Sequence, residues 1–132
     1  AAMPGRTVRP ATPDDIAACN AICRAVHGHD RGGELREAVA AGTARVVERT
    51  GRIGGYRTWL GAFSHVVPRD DLKALIAAAE SFAGPGILVP TRNADLLRWC
   101  LEQGLRIVQP MTLMSRGYYR EPAGAYLPSI LF

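Results

Sequence analysis

Apolar side chains recur at intervals of three and four between Ile16 and Val26, at Ile16, Cys19, Ile22, Cys23 and Val26. That spacing predicts a helix burying one stripe. Thr12-Pro13-Asp14-Asp15 ahead of it reads as a helix start, with a capping hydroxyl, a proline for the first turn and two acids at the positive end. The polar, glycine-rich run from His27 to Gly33 stops this helix, and residues 34–41 predict a second short one before Gly42. The period then shortens. Residues 44–48 and 52–60 read as a hairpin around Thr50-Gly51, with Gly54-Gly55 marking a bulge or close backbone approach.

Residues 63–67 predict a further short strand ended by Pro68. Asp70 or Asp71 then caps a helix with Leu72, Leu75, Ile76 and Ala79 on its buried face. Past the turn Gly84-Pro85-Gly86, the triplet Ile87-Leu88-Val89 suits a strand buried on both faces. Asn93 is placed to cap a helix carrying Leu96, Leu97, Cys100 and Leu101, which stops at Gly104. Residues 105–114 read as a long extended run interrupted by Pro110, residues 117–124 as a loop, and residues 127–132 as a last strand. Together with a first strand at residues 7–9, this order predicts a mixed α/β sheet with helices on both faces.

The chain has 132 residues, enough for one domain with a core of its own. Residues 7–132 are assigned to that domain, and residues 1–6 to a linker or an expression remnant. Apolar residues make up 48% and charged residues 21%, which excludes global disorder. No apolar run reaches the ~20 residues of a membrane span, so no membrane partner is expected. The net charge of +4 comes from sixteen basic residues, all arginine except Lys73. They are scattered rather than blocked, so nucleic acid is not the expected partner. Three cysteines (Cys19, Cys23, Cys100) cannot pair completely, and residues 1–6 lack the apolar core of a secretory signal. The expectation is reduced thiols in a cytoplasmic setting. Cys19, Cys23, His27 and His29 do not follow a usual zinc spacing, so no metal site is assigned.

Asn93 between a strand and a helix, Pro90-Thr91-Arg92-Asn93, and Trp99-Cys100-Leu101-Glu102-Gln103-Gly104-Leu105 together resemble the GNAT acyltransferase superfamily over nearly the whole chain. The tail, with Gln109-Pro110-Met111-Thr112-Leu113-Met114 and Pro128-Ser129-Ile130-Leu131, is similar to the carboxy-terminal half of tandem proteins with two such domains. The resemblance implies a mostly antiparallel mixed sheet of six to seven strands. It also implies acetyl-CoA or another acyl-CoA as cofactor, and a small-molecule amine or peptide as acceptor. An amino-terminal GNAT domain or a second copy would be the protein partner. Under the same resemblance His65 would be the base and Cys100 would stand where the family carries an acidic tyrosine. Val66, Val67, Arg69 and Asn93 would hold the cofactor, while His27, His29, Asp30, Arg31 and Tyr118 would border the acceptor.

The sequence departs from the family where a diphosphate is cradled. Val66-Val67 runs into Pro68-Arg69-Asp70-Asp71 with no glycine, and Pro68 has no N–H to give. Two readings therefore stay open. One is an acyltransferase domain, degenerate in its own cofactor binding. The other is a non-catalytic ligand-binding or dimerisation module of the same fold.

Overall fold

The structure, a computed structural model, describes residues 3–68 and 71–129. Strand β1 (Thr7–Pro10) leads through a single 3-10 turn (Pro13–Asp15) into α1 (Ile16–His27) and α2 (Gly32–Ala40). Then come β2 (Arg45–Arg49), β3 (Arg52–Arg57), β4 (Val66–Pro68), α3 (Leu72–Ala77) and α4 (Ala94–Glu102). The four strands form one antiparallel sheet in the order β1-β2-β3-β4.

Each sheet face carries its own apolar cluster. Val46, Tyr56 and Val67 stand in one row across the sheet and pack with Cys19, Cys23 and Val26 of α1 and Leu35 of α2. Val47 and Val66 belong to the opposite face, with Leu72, Leu75 and Ile76 of α3 and Leu96 and Cys100 of α4. Alternating side chains along each strand are what place neighbours such as Val46 and Val47 in different cores. Helix α1 buries Cys19, Cys23 and Val26 of the stripe its period selected, with Ile16 and Ile22 partly buried against the same cluster. At its head Asp15 accepts hydrogen bonds from the Thr12 N–H and hydroxyl and is clamped by Arg9, which also reaches Glu48 of β2.

The hairpin turn falls on Thr50 and Gly51, both at positive φ (50° and 74°), the geometry of a two-residue turn matched to sheet twist. The bulge expected at the glycine pair is present. Val47 faces Gly55 and Glu48 faces Ile53, which leaves Gly54 as the extra residue. Both glycines are also close-approach sites. A Cβ on Gly55 would lie 2.8 Å from Pro68 Cα, and one on Gly54 would lie 2.6 Å from an Asp71 carboxylate oxygen.

The expectation of six to seven strands is corrected to four among the described residues. The strand expected over residues 52–60 ends at Arg57, and the one expected over 63–67 is only Val66–Pro68. Residues 87–89 form no ladder among the described residues; Ile87 and Val89, partly buried, pack as side chains on the α3–α4 cluster. Residues 105–114 pair with nothing among the described residues, because Pro110 lacks a donor and the outer edge of β4 is already used. That edge is closed at Val66 by a single antiparallel bridge to Leu127. Of the last expected strand, residues 130–132 lie outside the described residues.

The glycine pair gives a direct test. Gly55→Ala should lower unfolding free energy by about 1–3 kcal/mol, because the clash is with backbone that cannot rotate away. Urea denaturation measures it, and a loss within error of zero would show that β4 has room to retreat.

Candidate functional site

His65 precedes β4 and is only 2% exposed. Its Nδ1 lies 3.1 Å from Glu34 Oε1 on α2, and its Nε2 lies 3.1 Å from the Tyr56 hydroxyl on β3. A carboxylate can only accept, so Nδ1 carries the proton and Nε2 accepts from the Tyr56 O–H. The Tyr56 hydroxyl also interacts with the Cys23 thiol of α1. At the outer end, Arg31 Nε meets the other Glu34 oxygen at 3.0 Å. One line of polar groups thus runs Arg31, Glu34, His65, Tyr56, Cys23, from the surface into the core.

Burial sets the electrostatics of this line. It pushes His65 below its ordinary pKa against the opposing pull of Glu34, and it raises both Tyr56 and Cys23. The imidazole is therefore neutral, with both nitrogens engaged. Cys100 on α4 is buried, and burial pushes its thiol up. Val66 gives its N–H and C=O to Leu127, and Val67 is in register with Tyr56 of β3. Arg69 lies outside the described residues.

The acceptor-side residues do not converge. His27 is half-buried and lowered to about 4, chiefly by burial; its ring meets Tyr126 edge-on at 5.7 Å and His29 at 5.9 Å. Asp30 pairs with Arg24 at 2.7 Å. Arg31 alone joins the buried line. Tyr118 is 90% exposed, and Trp59 lies exposed beyond β3.

A second feature lies between the starts of α3 and α4. An open cleft of about 660 Å³ is lined by Arg6, Asp71, Lys73, Arg92, Asn93 and Leu96, among others. Asn93 occupies the cap position of α4 but makes no side-chain cap bond, and its Nδ2 is buried without a partner among the described residues. Asp71 stands at the cap of α3, is 3% exposed and forms an ion pair with Arg6 from the segment before β1. Arg92 is spent on Glu121 at 2.9 Å and on the Pro122 carbonyl at 2.7 Å. No group of side chains suited to hold a metal ion occurs among the described residues.

The fold has a counterpart among solved structures. An acetyltransferase of the GNAT family from Bacillus cereus superposes with a TM-score of 0.65 over 92% of this chain and 93% of its own, at 15% identity. The fold is of the GNAT type. No family model and no curated protein sequence matches the chain. Within a GNAT-type fold, the cleft at the heads of α3 and α4 and the buried line through His65 are separate features, on opposite sheet faces.

Glu34 and Tyr56, the partners of His65, and Cys23 beyond them were not singled out as site residues by the sequence: Glu34 falls in the second predicted helix, Cys23 on the buried stripe of the first, and Tyr56 carried no signal beyond being an aromatic between a glycine and an arginine.

The two depressed histidines give a pH signature. Each starts from an ordinary value of 6.5 and is lowered in the fold, so the unfolded chain binds protons first. Their contribution is full above about pH 6.5 and is lost as pH falls through the folded values, to about 4 for His27. Denaturant unfolding between pH 7 and pH 4.5 should show that slope, and it should flatten in the His27→Gln/His65→Gln double variant. An unchanged slope would mean that neither ring is held neutral.

Proposed function

We propose that this is an acyltransferase-type domain that lacks autonomous transfer and serves as a non-catalytic ligand-binding or dimerisation module. The observation that carries the reading is His65. Its ring is buried and both nitrogens have partners inside the protein. A general base must come within hydrogen-bond reach of the proton it removes. Cys100, at the position of the family's proton donor, is buried with a raised pKa.

The cleft supports acyl-CoA only in part. The unpartnered Asn93 amide nitrogen suits a carbonyl of a pantetheine arm. The start of α3 does not suit a diphosphate, because a buried carboxylate already stands there with its own counter-ion, Arg6. No catalytic step is therefore derived through the cofactor. A small amine or peptide acceptor would be bound elsewhere in an assembly, and the buried free thiols fit a reducing, cytoplasmic setting.

Calorimetric titration with acetyl-CoA, paired with an acetyl-transfer assay on a panel of amines, tests this. The expected result is weak binding, weakened further in Asn93→Ala, and no transfer above the uncatalysed rate. Transfer that disappears in His65→Gln while the variant stays folded would overturn the reading.

A specific observation favours the dimerisation arm. Residues 105–114 and the loop after them expose Ile107, Val108, Met111, Leu113 and Met114, the last at 85%. Five exposed apolar side chains within eight residues form a patch of the kind that marks a protein contact. A second copy of this chain is the occupant proposed. Sedimentation should give a dimer that Val108→Asp/Leu113→Asp converts to monomer. A monomeric wild-type chain would point instead to a separate partner domain.

A further inference from the structure

Arg45 opens β2, Arg57 closes β3, and the two are direct cross-strand partners. Residues opposite each other in an antiparallel ladder share a face, with Cβ atoms about 5 Å apart. Like charges there repel. Six arginines elsewhere, Arg6, Arg9, Arg24, Arg31, Arg92 and Arg98, each meet a carboxylate, while Arg36, Arg49, Arg52, Arg106, Arg116 and Arg120 form no ion pair among the described residues. Arg45 and Arg57 meet none among the described residues. Arg57 is half-buried, and its Nε is shielded from solvent with no hydrogen-bond partner among the described residues. Arg45 is anchored by Nη1, which donates to the Gly42 and Ala44 carbonyls at 2.8 and 2.9 Å. Those bonds fix its position and leave its charge unbalanced. Burial first, then the Arg45 charge, lowers the Arg57 pKa.

The other arginine pair of this ladder makes the contrast. Arg49 and Arg52 also face each other, but both are exposed, so water screens them. Arg45 and Arg57 sit at the opposite end, beside Val66 where β4 begins, and neither lines the cleft at α3 and α4.

We propose that Arg45 and Arg57 form a binding subsite for a dianionic phosphoryl group. Two guanidiniums carry two positive charges and offer forked N–H donors that match phosphate oxygens. A carboxylate would balance only one of those charges. The inference does not rest on the acyltransferase reading, since it uses neither the cleft nor the buried histidine line.

The test compares melting of the full chain in sodium phosphate and in sodium chloride at equal pH and ionic strength. Phosphate should raise the wild-type melting temperature in a saturable way. Arg57→Gln and Arg45→Gln should each raise the half-effect concentration about tenfold or more, while Arg49→Gln leaves it unchanged. In chloride, Arg57→Gln should melt no lower than wild type, a result that a purely structural arginine would not give. An increment that is absent in wild type, retained in Arg57→Gln, or lost equally in Arg49→Gln overturns the proposal. Should Arg57→Gln not fold, phosphorus NMR line broadening of inorganic phosphate decides: broadening by wild type that is weaker with Arg57→Lys supports the subsite, and anything else overturns it. Methyl phosphate separates the two sources of the group, since tighter binding than inorganic phosphate assigns a substrate ester and weaker binding assigns the free ion.

Discussion

Two missing side chains govern how the second half of the chain meets the first. Gly55 lets β4 approach β3 at a distance that a methyl group would prevent, and Gly54, extruded as a bulge, leaves room for the Asp71 carboxylate. Once Asp71 lies there it is buried, and a buried carboxylate needs a partner. Arg6 supplies it from the segment before β1. The start of α3 is thereby filled by the protein's own charges. A glycine bulge in the sheet and a carboxylate at a helix start are one packing solution, and it bears directly on whether a diphosphate can be held.

The line through His65 shows the same economy of position on the other face. Glu34 can only accept, so His65 donates from Nδ1 and accepts the Tyr56 O–H at Nε2, and the proton positions follow from the carboxylate near the outer end. Such a line ties α2, β3 and α1 to the residue that leads into β4. It also removes the imidazole from solvent. A histidine whose nitrogens are both satisfied inside the fold gains rigidity and neutrality, and it gives up the access that acid–base chemistry requires.

The outer surfaces carry what these two arrangements leave over. Past Leu105, which packs on the α3–α4 cluster, Ile107, Val108, Met111, Leu113 and Met114 stand exposed, and the β4 edge is bridged at Val66 by Leu127. On the sheet, Arg45 and Arg57 hold two charges side by side without a carboxylate, in a fold where six other arginines have one.

Local chemistry was enough to read much of this chain. The three-and-four spacing of Ile16 to Val26, the Thr50-Gly51 turn and the Gly54-Gly55 bulge were legible because each is decided by a few neighbouring residues. The α/β class followed from their order, and so did the lack of a glycine cradle after Val67. The strand count was not legible: residues 87–89 and 105–114 have strand-like composition, but a strand exists only when another edge is free to pair, and that is settled far away in sequence. Nor was the fate of His65, since Glu34 and Tyr56 lie thirty-one residues before it and nine before it. Sequence specified which groups could titrate or carry charge; tertiary structure alone decided which of them face water, because burial and pairing depend on what the rest of the chain brings alongside.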